Sequence, residues 1–204
     1  MGKYYLGMEK KMQIQTPVIF DTDCLSSFLW IRRIDIIKIL FPNQIIIPQT
    51  VYDELNIMRQ YSRYRFVVED LAVEITANHV FLEDILIPSN AGDEYLRLIA
   101  PNDIKQIGKG EAAAIVLAKL HNGTLASNNL RDILPHIMSG YPPYISTDTI
   151  LYEYYQQGKI TAKQGCEIWN AMKAKRRVLP KNDFYEVIRR FSHREPTDMT
   201  DDID

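Results

Sequence analysis

Residues 17–25 read Pro17-Val18-Ile19-Phe20-Asp21-Thr22-Asp23-Cys24-Leu25. Val18, Ile19 and Phe20 are β-branched or aromatic, and a short run of this kind suits a strand covered on both faces. The run stops at two acids, Asp21 and Asp23, with Thr22 between them. A helix-like pattern starts directly afterwards. Ligand sites in open parallel sheets lie beyond the carboxyl ends of the strands, so this pair stands where chemistry is expected. The plainer alternative is that Asp21 or Thr22 caps the following helix.

Outward from that stretch the same alternation repeats. Apolar residues from Leu25 to Leu40 keep helical spacing up to Pro42, and Ile45-Ile46-Ile47 forms a second buried strand. Pro48 stops it, and Thr50 is placed to cap a helix that carries Glu54. Helical patterns run from about Ser62 to Ala77 and over Asn90–Asp103, with a strand over Val80–Ile87 between them. Gly108-Lys109-Gly110 introduces Glu111–Leu120, an alanine-rich segment of high helix propensity. Thr124-Leu125-Ala126 is a strand ending at Ser127-Asn128-Asn129, and a helix follows over Leu130–Met138. Tyr144-Ile145-Ser146 is the last strand, ending at Thr147-Asp148, before a helix over Ile150–Gln157. Thr161 caps a helix to about Arg176, and Asp183 starts another to about Phe191. Short strands alternating with helices predict an α/β fold, with helices on both faces of a mainly parallel sheet of four or five strands.

The chain has 204 residues, 46% hydrophobic and 25% charged, which is enough for one globular domain. The net charge of −2 provides no global field for a polyanion, so nucleic acid would need a local basic patch. Two cysteines, Cys24 and Cys166, have no metal-type spacing and fit a reducing, cytoplasmic setting. No stretch approaches the roughly 18 apolar residues of a membrane span, so no membrane role is expected. The expected organisation is an N-terminal extension at 1–16, a domain at 17–160, a helical extension at 161–194 and an acidic, disordered tail at 195–204.

The acids fall at strand ends or in first helical turns: Asp21 and Asp23 after the first strand, Glu54 past the second, Glu111 at a helix start, Asp148 after the last. Two carboxylates about 5 Å apart repel by roughly 3 kcal/mol at an effective dielectric near 20. A cluster therefore implies compensation, and Mg²⁺ or Mn²⁺ prefers such oxygen ligands. His79, His121, His136 and His193 are scattered and offer zinc no motif. Gly108-Lys109-Gly110 lacks the frame of a phosphate-binding loop. Asp35, Asp53 and Asp132 read as solvated or capping residues. Lys173, Lys175, Arg176 and Arg177 form a basic run at a helix end, with Lys181, Arg189, Arg190 and Arg194 beyond it. Such a run favours the helix dipole, or contacts an RNA backbone. Arg32, Arg33, Arg59, Arg63 and Arg65 are a second basic set. Tyr61, Tyr64, Tyr152, Tyr154 and Tyr155 are either core or contact residues or places where bases stack.

Val-Ile-Phe-Asp-Thr-Asp-Cys-Leu, the Thr-Val-Tyr-Asp-Glu-Leu around Glu54, Gly-Lys-Gly-Glu-Ala-Ala-Ala-Ile-Val-Leu-Ala, Leu-Ala-Ser-Asn-Asn and Ile-Ser-Thr-Asp-Thr-Ile-Leu come in the order and spacing of a PIN domain. The resemblance covers about residues 17–192 and is to the prokaryotic subgroup near the VapC-type toxins. It implies a three-layer α/β/α fold and a metal-dependent endoribonuclease, the toxin of a toxin–antitoxin pair. It further implies Mg²⁺ or Mn²⁺ as cofactor, single-stranded RNA as substrate, a homodimer and an antitoxin partner. Carried across by position, Asp21, Glu54 and Glu111 match the first three acids. Thr22, Ser146 and Thr147 match polar substrate-binding positions, and Asn128, Lys175 and Arg176 join them as candidate substrate contacts. Where the family usually has a fourth acid this chain reads Asn128-Asn129, so Asn129 takes the fourth catalytic place without charge. Asp23 or Asp148 could restore the balance, giving Asp21, Glu111, Asp23 and Asp148 as candidate metal ligands. The alternative is a PIN fold of weak or no catalysis that acts as a binding or regulatory module.

Overall fold

The computed structural model describes residues 14–100, 107–137, 141–177, 179–181 and 183–193. The basic and acidic residues of the first 13 positions, Asp103, Met138, Arg194 and the acidic tail lie outside the described residues. Within them the chain runs β1 (Val18–Phe20), α1 (Thr22–Leu29), α2 (Ile34–Leu40), β2 (Ile45–Pro48), α3 (Gln49–Asn56), α4 (Arg65–Thr76), β3 (Val80–Glu83) and α5 (Asn90–Ile99). It continues through α6 (Lys109–Leu120), β4 (Thr124–Ala126), α7 (Leu130–Ile133), β5 (Tyr144–Ile145), α8 (Thr147–Gln156), α9 (Ala162–Ala174) and α10 (Phe184–Ser192).

The five strands form one parallel sheet in the order β3-β2-β1-β4-β5. β1 is central, with Val18 opposite both Ile45 and Thr124. Side chains alternate across it. Val18 and Phe20, with Ile45, Ile47, Val80, Ala126 and Ile145, face the layer built by α1–α4 and α8–α10. Ile19, Ile46 and Leu125 face the opposite layer of α5, α6 and α7. All three β1 side chains are fully buried, and each apolar side chain so placed contributes about 1.5–3 kcal/mol. The Ala112, Ala114 and Ala118 methyls let α6 lie close on the sheet. The architecture is the expected three-layer α/β/α sandwich. The chain leaves β1 for β2 and β3 on one side, then returns to β4 and β5 on the other. The direction of travel therefore reverses between β1 and β4, and the carboxyl ends of these strands flank the crevice where such sheets bind ligands.

Several boundaries differ from those the sequence predicts. The single helical pattern over Leu25–Leu40 is two helices, broken around Arg32 at φ 56°. The periodicity persists because both helices bury their apolar faces in the same layer. Pro48 ends β2 inside its ladder, opposite Glu83, and α3 starts at once. Thr50 does not cap that helix, and its buried hydroxyl has no partner among the described residues. The third strand ends at Glu83, short of Ile87, and the helix predicted from Asn90 ends at Ile99. The helix after Asn129 gives way at Leu134 to a 3-10 turn carrying Pro135, which removes a backbone donor. The last strand stops at Ile145, so Thr147 and Asp148 open α8 rather than end a strand.

The C-terminal helices join the main core: Ile168, Trp169, Met172, Phe184 and Val187 are buried in the same cluster as β1. Their contact depends on Gly165, where an added Cβ would lie 2.2 Å from the fully buried Phe184 ring. Alanine there gains up to about 1 kcal/mol of helix propensity but overpacks at a cost of about 1–3 kcal/mol. Gly165→Ala is therefore expected to lower stability to urea by about 1–2 kcal/mol; a variant as stable as wild type would show that the α9–α10 contact is loose.

Candidate functional site

Asp21 stands directly after β1 and is 1% exposed. Its backbone N–H donates to Ala126 on β4 at 3.0 Å, which places the residue over the crevice. Asp21 does cap α1: its Oδ1 accepts from the Cys24 N–H at 2.8 Å. Its Oδ2 is buried and has no partner among the described residues. Burial pushes the Asp21 carboxyl up to about 7, and the nearby charges of Asp23 and Glu111 act in the same direction. The Ser127 hydroxyl and the Cys24 N–H pull the other way. A buried carboxylate oxygen that makes no hydrogen bond is costly. An arriving cation would remove that cost.

Glu54 and Glu111 approach from α3 and α6. Glu54 accepts from the Thr22 hydroxyl through Oε2 and from the Gly110 N–H through Oε1 at 3.2 Å. A Cβ at Gly110 would lie 3.0 and 3.1 Å from the two Glu54 oxygens and 3.1 Å from Thr22 Oγ1, so a side chain there would crowd the carboxylate. Glu111 holds its own helix start, with Oε2 accepting from the Gly108 N–H at 3.0 Å. Its Oε1 accepts from Asn129 Nδ2 at 2.6 Å.

The two asparagines do different work. Asn128 joins elements: Nδ2 donates to Ser27 on α1 at 3.2 Å, and Oδ1 accepts from the Thr147 N–H at 2.9 Å. Asn129 Nδ2 donates to Glu111 and also to Asp132 Oδ2 at 2.9 Å. Asp132 is therefore not merely solvated; it lies one amide away from Glu111. Sequence reasoning passes over it because its place, three residues beyond Asn129, becomes meaningful only once Glu111 arrives from another helix. Asp35 pairs with Arg33 at 2.9 Å, and Asp53 accepts from Gln49 at 2.8 Å, so neither belongs to the crevice.

Asp23 and Asp148 share no hydrogen bond with this group. Asp23 points outward, 61% exposed, with Arg177 Nη1 4.0 Å away. Asp148 is fully buried. Its Oδ1 accepts from the Ser146 hydroxyl and the Thr149 N–H, and its Oδ2 accepts from Arg190 Nη1 at 3.1 Å. The Asp148 carboxylate is thus bound to a cation of the chain itself. Thr147 meets the Cys24 sulfur at 3.7 Å under α1. Lys175 and Arg176 are exposed at the end of α9. Arg177 is the residue of that run that turns inward, donating to Ser26 Oγ at 2.8 Å.

Among the described residues no three acids, histidines or cysteines stand close enough to form a preassembled metal cage. The crevice instead offers a buried carboxylate oxygen that makes no hydrogen bond among the described residues, beside a second acid. That set suits a hard divalent cation held through few carboxylates, with water and substrate phosphate filling the other positions.

The raised Asp21 proton affinity has a signed consequence for stability. In metal-free protein the folded state binds this proton more tightly than the unfolded chain. The stabilisation is full below the unfolded value of 3.8 and is lost as pH rises through about 7. A rise from 3.8 to about 7 is worth at most about 4 kcal/mol. In the presence of a chelator, Asp21→Asn, which can still cap α1, is expected to unfold at higher urea than wild type near pH 8. The advantage should be about 2–4 kcal/mol and should fade toward about pH 4. Superimposable pH profiles would mean the carboxylate is solvated.

No curated protein and no solved structure matches the chain. A family model does: DUF3368, a PIN domain, matches residues 17–193, nearly the whole chain and all five strands. PIN domains are generally nucleases, and they usually employ divalent metals. On that match, taken with the parallel sheet and the acids along its carboxyl edge, the chain belongs to the PIN domain family.

Proposed function

We propose that the protein is a metal-dependent endoribonuclease that hydrolyses phosphodiester bonds at the crevice between β1 and β4. The observation that carries this reading is Asp21: a carboxylate buried at the end of the central strand, with one oxygen that makes no hydrogen bond among the described residues and the Ser127 hydroxyl as its neighbour. A protein that used Asp21 only as a cap would gain nothing from burying the second oxygen. Asp21 and Glu111 are the residues that would hold Mg²⁺ or Mn²⁺, with Asp132 adding negative charge behind Glu111 through the Asn129 amide. The ion would supply a Lewis acid for the phosphodiester and a water acidic enough to attack near neutral pH.

The chain's own groups do the rest. Glu54, tied to the Thr22 hydroxyl and the Gly110 N–H, keeps α3 and α6 at the distance that sets the width of the crevice. Asn129 holds Glu111 in one rotamer. Asn128 locks α1 to the start of α8, which keeps the floor rigid. Ser146 and Thr147 stand behind that floor, engaged with Asp148 and Cys24, and support the site rather than touch substrate. Toxin action, with a homodimer and an antitoxin as partner, follows from the resemblance to the VapC-type subgroup. Its test is growth arrest on induction of the wild type but not of Asp21→Asn.

One observation favours the second reading, a PIN-fold binding module of little catalysis: both asparagines that replace the usual acid are occupied in structural hydrogen bonds. Cleavage of single-stranded RNA in Mn²⁺ separates the two. Wild type is expected to cleave, and Asp21→Asn and Glu111→Gln are each expected to slow cleavage at least about a hundredfold, about 2.7 kcal/mol of barrier. Calorimetry should show Mn²⁺ binding by wild type and weakened binding by both variants. Equal rates in wild type and Asp21→Asn would end the nuclease reading.

A further inference from the structure

A second feature of the molecule starts at the same crevice and leads away from it. α1 is capped by Asp21 at its start and by Trp30 at its end, nine residues and about 13–14 Å apart at 1.5 Å per residue. Along its accessible side lie Asp23, then the Arg177 guanidinium, then Trp30 with Arg177 stacked 5.5 Å from its ring centre. Beyond Trp30 an aromatic group continues. Tyr64 meets Trp30 edge-on at 4.7 Å, and Tyr61 meets Tyr64 edge-on at 6.4 Å. Arg63 lies 5.7 Å from the Tyr64 ring, and Arg32 lies 4.9 Å from the Phe66 ring.

A plain packing cluster between α1 and α4 would bury these rings. Instead Tyr61 is 52% exposed, Trp30 and Tyr64 are half-buried, and Arg63 is exposed. Trp30 and Tyr64 already carry a guanidinium over their rings, so Tyr61, the most exposed of the three, is the ring most available to a base. The cations here are also not all spent. Arg32 is paired with Asp70 at 2.9 Å and Arg177 faces Asp23 at 4.0 Å, but Arg63, over the Tyr64 ring, meets no carboxylate among the described residues. Arg32, in the turn after α1, and Arg176, just past the end of α9, sit at positive φ, 56° and 59°, as Asn43, Asn78 and Asn122 do in other turns. Guanidinium groups alternating with partly exposed aromatic rings, continuous with a phosphodiester-cleaving crevice, suit a ligand with a phosphate backbone and unpaired bases.

We propose that the ridge formed by Arg177, Trp30, Tyr64, Tyr61 and Arg63 is a track for single-stranded RNA that leads the strand along α1 into the acid crevice. The proposal rests on reading that crevice as a ribonuclease site. Arg177 is a positioning residue: it screens Asp23 and places a backbone phosphate beside Thr22. Tyr61 and Tyr64 stack the unpaired bases that follow.

The full-length chain carries its own reporter. Of its two tryptophans Trp169 is fully buried, so Trp30 reports on the surface. In chelator, without cleavage, titration with an oligouridylate is expected to quench Trp30 fluorescence to saturation. The same RNA in a duplex should bind much more weakly, since its bases are hidden. Tyr61→Ala, at an exposed position that leaves the fold intact, is expected to weaken binding about tenfold, the loss of one base stack. Arg63→Ala and Arg177→Ala should each weaken it and lower the salt dependence by about one phosphate contact. Arg97→Ala, on the opposite layer, should change nothing. Equal affinity in wild type, Tyr61→Ala and Arg63→Ala, or duplex bound as tightly as single strand, overturns the track. Wild type that cleaves in Mn²⁺ but shows no binding in chelator overturns the track and leaves the nuclease standing. Saturable, Tyr61-dependent binding with no cleavage upholds the track and removes the nuclease.

Discussion

The structure depends on one constraint: a carboxylate must be kept buried at the end of a strand that has no polar side chains. β1 is closed on both faces and both edges. The residue between it and α1 is Asp21, and only one of its two oxygens is satisfied locally, by the cap. Everything around it limits how far that carboxylate can relax. The Ala126 carbonyl holds its backbone, Ser127 lies beside it, and α1 is fixed from below by Asn128 and Ser27. A group held this firmly against its preferred solvation is the kind found at functional sites.

Parallel topology then decides what surrounds it. Because the chain reverses direction between β1 and β4, the segments after these strands open toward each other. α3 and α6 reach the same place, and small residues make the approach possible: Gly110 against Glu54, and a row of alanines against the sheet. The C-terminal helices close the arrangement from the other side. Arg190 reaches the buried Asp148, and Arg177 reaches Ser26 and Trp30. Replacing Arg190 would leave Asp148 charged and unpaired in the core, a more serious loss than the pair's own net worth. α9 and α10 are therefore tied to α1 and α8 by packing and by charge.

Much of this is legible in the chain. The buried strands around Val18–Phe20, Ile45–Ile47 and Thr124–Ala126, the long helix after Gly110, and the caps at Thr161 and Asp183 all have local causes: β-branched runs, alanine content, side chains that accept helical N–H groups. What misleads is equally physical. Periodicity cannot register a break when both halves of a segment bury the same face, which hides the turn at Arg32. A threonine at the start of a helical pattern looks like a cap, yet Thr50 lies inside α3 with its hydroxyl buried. Asp148 looks like a spare ligand because its partner, Arg190, is 42 residues away in sequence.

By itself the sequence determined which residues are acids at strand ends, how many layers the domain has, and which family pattern it follows, because these depend on composition, period and order. Only the tertiary structure decided which of those acids share a space. Asp21, Glu111 and Asp132 are linked by burial and one amide, Glu54 is bound to Thr22 and Gly110, Asp23 faces solvent and Asp148 faces an arginine. The reason is that the worth of a carboxylate is set by its solvation and by the donors within about 3 Å, and those come from segments that local sequence does not bring together.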